Sequence, residues 1–341
     1  MAHNTAARGS KRPASESAVL LSPEHMLDPI GEQFLEHNCR EVLKVVWDEA
    51  QVAAAIGTVD AVIVRGPAVL SASLMDRAQN LRFISVSGAG YDCVDIAAAT
   101  ARGLPVLYLP GFSALPVAEY VIGGLIICSR RIGTADRACR ASDFDWNRRS
   151  TDLNGTLIAG AKLGLVGLGN VGRNVARLAI ALGMRVAAYD PAVSKWPDNI
   201  ERVNDVDALL RDSDFVSLNV PLTEETRGML TTARIRSMKR GACLVNAARG
   251  EVMDEQAVAD ALTEGHLAFG VFDVFESEPQ VWKSPLASAP NCIVTPHIAG
   301  VTQTTIRDTV HEIVRGVVRG LDGEFDATRV INPTTLKAMT N

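Results

Sequence analysis

Three glycines spaced as GLGNVG (Gly167, Gly169 and Gly172) follow the apolar run KLGLV and precede NVGRNVARLAIALG, whose apolar residues recur at helical spacing. A strand that turns through glycines into a helix brings backbone N–H groups and the positive end of the helix dipole to one point, which suits a pyrophosphate. The first glycine permits the tight turn, the second lets the backbone approach the ligand, and the third allows close contact between helix and strand. That spacing alone is a weak signal. Asp190 strengthens it, because it closes the next strand, RVAAYD, eighteen residues beyond Gly172, where a carboxylate can accept hydrogen bonds from an adenosine ribose. A structural turn and a water-facing carboxylate would each be ordinary, but neither explains both at this spacing. A carboxylate here repels a ribose 2′-phosphate and no Arg follows within Pro191–Ser194, so the expected cofactor is NAD rather than NADP.

Three later segments are VNAARGEVMDEQAVADAL at Val245–Leu262, FDVFESEP at Phe272–Pro279 and TPHIAG at Thr295–Gly300. Together with GLGNVGRNVA they resemble the D-isomer-specific 2-hydroxyacid dehydrogenases, the family that includes phosphoglycerate dehydrogenases and glyoxylate/hydroxypyruvate reductases. The likeness runs from Ala61 to Pro333. It implies reversible hydride transfer between NAD(H) and a small 2-keto or 2-hydroxy acid of the 3-phosphoglycerate, hydroxypyruvate or glyoxylate type. It also implies that Arg249 binds the substrate carboxylate and keto oxygen, that His297 is the acid/base, and that Glu278 holds His297 and raises its proton affinity. These residue types fit those tasks. A guanidinium pairs bidentately with a carboxylate and stabilises charge on a reacting oxygen, while an imidazole exchanges protons near neutral pH. The resemblance further places Asn170, Val171, Pro221, Ala247 and Asp273 on the cofactor, Asp273 near the nicotinamide amide. On the substrate side it implies the loop Ser87, Gly88, Ala89 within SVSGAGYDCVD, whose backbone N–H groups would meet the carboxylate, while Arg65, at the strand end in VIVRG, is placed to meet an anionic group. The segment PGFSALPVAE departs from the phosphoglycerate dehydrogenases, which usually carry an Asn-Thr pair at the positions of Ser113 and Ala114; this weighs against 3-phosphoglycerate. No appended regulatory domain is expected. Pocket width is expected to depend on Phe112, Ser113 and Trp282.

The elements that must position these groups alternate short β-branched runs with longer helical ones, the pattern of an α/β protein. Strands are expected at Val19–Leu21, Val42–Trp47, Ala61–Val64, Arg82–Val86 and Val106–Leu109, forming a first sheet. Six more are expected at Lys162–Val166, Arg185–Tyr189, Phe215–Val220, Cys243–Ala248, Ala268–Val274 and Cys292–Thr295, forming a second parallel sheet. Pro116 opens a long buried helix, residues 143–160 read as a loop or arm, and a further helix is expected from Val301 to Gly320. The expected architecture is two Rossmann-like domains with doubly wound parallel sheets and a cleft between them. Residues 1–17 would be a disordered tail, 18–115 plus 298–341 a discontinuous substrate domain, and 116–297 the NAD domain. His3, His25, His37, His266 and His311 are assigned to the tail, the surface or helix faces.

Composition narrows the function classes. The chain has 341 residues, 47% of them hydrophobic, with 34 Lys and Arg against 39 Asp and Glu for a net charge of −5. There is no general attraction to nucleic acid or anionic lipid. Six cysteines without a CxxC spacing suggest neither a zinc site nor a disulfide framework, so no metal is expected and a reducing cytoplasm is. The longest apolar run, Val117 to Cys128, contains Glu119 and is far short of the ~20 residues that span a bilayer. Two other classes share part of the pattern. A non-catalytic NAD-sensing module resembling the corepressors of this fold would not need Arg249, Glu278 and His297, and a methyltransferase would leave them unexplained. Family habit favours a homodimer formed through the NAD domain and its arm.

Overall fold

The computed structural model describes residues 12–21, 28–141 and 153–339. Two compact units divide the chain. One runs up to Ser113 and resumes at Thr302, and the other is Ala114–Val301. Both are α/β with purely parallel sheets.

The first unit carries five strands, β1 (Ala18–Leu21), β2 (Glu41–Lys44), β3 (Ala61–Val64), β4 (Phe83–Val86) and β5 (Val106–Leu107), in the order β2-β1-β3-β4-β5. β1, β3 and β4 are buried along their whole length, as parallel strands covered on both faces must be. One cover is the helix Gln303–Leu321, capped by Thr302, whose Oγ1 accepts from the Thr305 N–H at 3.0 Å. Its Val310, Ile313, Val314, Val317 and Leu321 fall on one helical face and bury against Val19, Leu21, Ile63 and Phe83. This returning segment closes the core of the first unit.

The second unit holds β6 (Lys162–Val166), β7 (Arg185–Tyr189), β8 (Glu201–Arg202), β9 (Phe215–Leu218), β10 (Ala242–Asn246), β11 (Leu267–Phe272) and β12 (Cys292–Val294), in the order β12-β11-β10-β9-β6-β7-β8. The chain builds outward from β6 to β8, then crosses to β9 and builds the other way. The topological switch therefore lies between β6 and β9, where doubly wound sheets take their ligands. Helix Ala114–Arg130 covers one face through Ala118, Val121, Leu125 and Cys128. A Cβ on Gly124 would lie only 3.4 Å from Val271 Cγ1, so this helix packs close against β11.

The structure corrects several expectations. The second sheet has seven strands rather than six. β8 is two exposed charged residues at the sheet edge, a short guarded edge strand that hydrophobic pattern cannot reveal. Several strands end earlier than expected, β2 at Lys44, β9 at Leu218 and β10 at Asn246. The second unit extends to Val301 rather than 297, since the N–H groups of Ile298 and Ala299 bond the Asp273 carboxylate. Of the expected tail, residues 1–11 lie outside the described residues, as do 143–152 of the arm, His3 and His25. Residues 12–17, however, are docked. Ala14 and Ser17 are buried, Arg12 pairs with Asp60 at 3.1 Å, and the Ala14 N–H bonds Asp322.

Asp60 is fully buried, and its other oxygen accepts from the Ala18 N–H at 2.9 Å. Asp60→Ala strands that N–H and removes the partner of Arg12, which should destabilise the first unit by about 2–4 kcal/mol. Urea unfolding should show a lower midpoint, and an unchanged midpoint would contradict this role for Asp60.

Candidate active site

Because every strand of the second sheet is parallel, all carboxyl ends share one edge, and most of the expected site residues leave it there. Gly167 follows β6, Asp190 follows β7, Pro221 lies three residues past β9, Ala247 and Arg249 follow β10, Asp273 follows β11, and His297 lies three residues past β12. Arg65 and Ser87–Ala89 belong to the first unit, where they leave the adjacent strands β3 and β4 at the same edge.

The glycine turn has the shape that a dinucleotide requires. Gly167 has φ +97°, and a Cβ there would lie 2.6 Å from the Asn219 carbonyl oxygen across the switch point. A Cβ on Gly172 would lie 2.2 Å from the Gly167 oxygen, so helix Asn170–Ala181 starts hard against the turn. Gly169, the N-cap of that helix, meets nothing within 4 Å, which leaves open space beside the first-turn N–H groups of Asn170 and Val171. Asp190 ties the turn to β7. Its Oδ2 accepts from the Leu168 N–H at 2.8 Å and its Oδ1 from the Ala192 N–H at 2.9 Å, with lone pairs left for a ribose. These residues fit NAD. Pro221 is exposed, Ala247 is half-buried, and both flank this stretch of the sheet edge.

At the catalytic end, His297 Nδ1 lies 2.8 Å from Glu278 Oε2. Nδ1–H donates to the carboxylate, so the neutral ring presents its Nε2 lone pair outward and the imidazolium presents Nε2–H. Glu278 Oε1 accepts from the Phe275 N–H at 2.9 Å. Burial pushes the Glu278 carboxyl upward. The hydrogen bond and charge of His297, the Phe275 N–H and the field of Arg249 outweigh that push and hold it below the ordinary carboxylate range. Arg249 is thus electrostatically coupled to the Glu278–His297 pair. Its own Nη1 also bonds the Ala248 carbonyl at 2.6 Å.

The glycine after Arg249 explains how the two segments meet. A Cβ on Gly250 would lie 2.2 Å from the Phe275 carbonyl carbon and 2.3 Å from the Glu276 nitrogen, so the backbone carrying Glu278 crosses directly over it. Buried Glu255 pins this crossing segment at two points, accepting from the Glu276 N–H at 2.8 Å and from Ser284 Oγ at 2.6 Å. Sequence reasoning did not single out Glu255, and within a helical run of Glu, Gln and Ala nothing marks it.

Two expected roles change. Asp273 is fully buried and anchors the His297 loop: Oδ1 accepts from Thr295 Oγ1 at 2.6 Å and the Ile298 N–H at 2.8 Å, and Oδ2 from the Ala299 N–H at 2.7 Å. In the first unit the Ser87 and Gly88 N–H groups already bond the carbonyls of Val64 and Val86, since β4 continues its hydrogen bonding one residue beyond the strand. That leaves Ala89 and Gly90 to offer N–H groups to an anion. Burial lowers the Arg65 pKa below the ordinary guanidinium value. Trp282 is 73% exposed. Among the described residues, no group of three or more His, Cys, Asp or Glu could hold a metal, and no helix is long and apolar enough to cross a membrane.

Two outcomes follow from this packing. Gly172→Ala should raise the NADH dissociation constant at least about tenfold by driving the helix from the turn, measured by fluorescence titration; an unchanged constant would remove this turn from the cofactor site. The lowered Glu278 pKa ties its ionised form to the fold. Its pairing with His297 therefore contributes in full above the unfolded carboxyl pKa and is lost progressively as pH falls from there through the lowered value. Glu278→Gln should abolish that acid limb in a pH titration of stability.

Comparison with known proteins accords with this geometry. The sequence profile of the D-isomer specific 2-hydroxyacid dehydrogenase, NAD binding domain, matches residues 122–299. The chain is 34% identical over 303 residues to the hydroxypyruvate reductase of Thermotoga maritima, covering 87% of this chain and 97% of that protein. It is 34% identical over 305 residues to the D-3-phosphoglycerate dehydrogenase of Archaeoglobus fulgidus, covering 86% of this chain and 57% of that longer protein. Among solved structures, a D-lactate dehydrogenase from Aquifex aeolicus complexed with NAD and lactic acid superposes with a TM-score of 0.80 at 26% identity, over 94% of this chain and 98% of that one. The chain belongs to the D-isomer specific 2-hydroxyacid dehydrogenase family.

Proposed function

We propose that this protein catalyses reversible hydride transfer between NAD(H) and a small 2-keto or 2-hydroxy acid. The observation that carries this reading is the 2.8 Å Glu278–His297 bond, which directs Nε2 outward beside the field of Arg249. When bound along Gly167–Gly172 and Asp190, the nicotinamide cofactor supplies or accepts the hydride at the substrate's C2. The chain's own residues do the rest. Arg249 pairs with the substrate carboxylate and steadies negative charge on the reacting oxygen. In the reductive direction His297 gives its Nε2 proton to that oxygen while Glu278 stabilises the imidazolium. In the oxidative direction the neutral ring takes the alcohol proton. Asp190 favours NAD over NADP by repelling a 2′-phosphate.

The names of the relatives span hydroxypyruvate, glyoxylate and 3-phosphoglycerate. Ser113 and Ala114 favour the smaller keto acids over 3-phosphoglycerate. A second copy of the chain is the partner we propose. Helix Ile132–Arg140 buries none of its residues, and Ile132 and Leu157 are 49% and 79% exposed. Sedimentation should find a dimer. The free cysteines fit the reducing cytoplasm as its compartment.

A panel of keto acids assayed with NADH and NADPH tests the activity, and absence of turnover on all of them would favour a cofactor-sensing role instead. His297→Ala should lower kcat by roughly 10²–10⁴ with NADH affinity little changed; an unaltered rate would remove His297 from the mechanism. Keto-acid reduction should fall as rising pH deprotonates His297, while alcohol oxidation should rise. Parallel profiles in the two directions would contradict the assignment. Asp190→Ala should narrow the preference for NADH over NADPH, and an unchanged ratio would place the selectivity elsewhere.

A further inference from the structure

Helix Ala114–Arg130 has no assigned part in the chemistry, yet one of its side chains reaches the loop that carries His297. The Tyr120 hydroxyl lies 2.5 Å from Thr295 Oγ1, and Thr295 Oγ1 donates to Asp273 Oδ1 at 2.6 Å. The direction of the chain is forced. The Thr295 proton is committed to Asp273, so toward Tyr120 the Thr295 oxygen can only accept, and Tyr120 must donate. The phenol is suited to that part. Burial, with a further push from the Asp273 charge, raises its pKa to about 12, so it keeps its proton across the working pH range.

The far end of this chain is the site. The Asp273 carboxylate also takes the N–H groups of Ile298 and Ala299, and the Asp273 carbonyl takes the His297 N–H at 2.8 Å. The three successive N–H groups of residues 297–299 thus converge on one residue, and they hold His297 at φ +55°, a left-handed conformation that a non-glycine residue keeps only when its surroundings over-determine it. That backbone aims the imidazole at Glu278. Thr295 is where the loop leaves β12, and its hydroxyl is the one side-chain donor to Asp273, so its orientation bears on the whole clamp. Tyr120 holds that hydroxyl from a helix packed against β10 and β11.

We propose that Tyr120 is a positioning residue for His297, acting through Thr295 and Asp273 to hold the imidazole in the orientation that proton transfer requires. The role rests on the dehydrogenase reading but does not follow from it, since Tyr120 touches neither His297 nor Glu278. Hydrogen-bonded chains polarise one another, so loss of the terminal donor weakens the Thr295–Asp273 bond as well.

The test compares Tyr120→Phe, Thr295→Val and Thr295→Ser, each alone and Tyr120→Phe also in the His297→Ala background. Tyr120→Phe should lower kcat about 3- to 10-fold, the weight of one net hydrogen bond, while KM and the NADH dissociation constant stay within about twofold. Thr295→Val should lose at least as much, and Thr295→Ser, which keeps the hydroxyl, should restore most of it. In the His297→Ala background Tyr120→Phe should leave the residual rate within about twofold, because the group it positions is gone. A wild-type kcat in Tyr120→Phe, or the same fold loss carried into the His297→Ala background, would overturn the proposal. A second readout does not depend on turnover. The imidazole nitrogen resonances of His297 should shift in Tyr120→Phe relative to the unmodified protein, and unchanged resonances would refute positioning. If the unmodified protein reduces no 2-keto acid, the dehydrogenase reading fails, whereas the resonances still decide the role of Tyr120.

Discussion

A buried carboxylate cannot be left without donors, and the active-site edge of the second sheet is organised around that constraint. Asp273, at the end of β11, is fully buried and draws in one hydroxyl and two backbone N–H groups, while its carbonyl takes a third N–H. The donors all come from the segment that leaves β12. Satisfying one side chain therefore dictates the path of the loop and the unusual φ of His297. The strain at His297 is offset by hydrogen bonds whose loss would strand a charge.

The segments carrying Arg249 and Glu278 meet by close packing together with the hydrogen bonds of one buried carboxylate. Gly250 lets the Phe275–Glu276 backbone lie directly on the segment after Arg249, and Glu255 holds that backbone from below. Arg249, Glu278 and His297 come from three successive crossovers, yet each is held by groups that do not react. The electrostatics follow from this placement. The hydrogen bond from His297, the Phe275 N–H and the field of Arg249 keep Glu278 ionised despite burial, and an ionised Glu278 is what a proton-carrying imidazole needs beside it. At the cofactor end, the same device of missing side chains at Gly167 and Gly172 lets strand, turn and helix approach closely.

The fold explains how relatives with different named substrates can share one architecture. The residues proposed to hold the cofactor and to move the proton leave β6, β7, β10, β11 and β12, whose cores are apolar and whose register is set by parallel pairing. In the first unit β3 and β4 end side by side at Arg65 and Ser87. Loops beyond strand ends can change while a sheet stays, so proteins of one fold can differ in the molecules they take.

The sequence alone determined the α/β class and eleven of the twelve strands to within a few residues, and it singled out the glycine turn with Asp190 and the Arg249, Glu278 and His297 set as candidates. These signals are local: an apolar run, a spacing, a motif within a few residues of a strand end. It missed β8, because two charged edge residues carry no pattern, and it read residues 12–17 as tail, because the burial of Ala14 and the Arg12–Asp60 pair depend on chain far away. Tertiary structure alone decided that Asp273 clamps the His297 loop, that Glu255 and Gly250 fit the Glu278 segment against Arg249, and that Tyr120 meets Thr295 across 175 residues of chain. The physical reason is common to all three. Each depends on which atoms meet in three dimensions, and sequence spacing does not encode that distance.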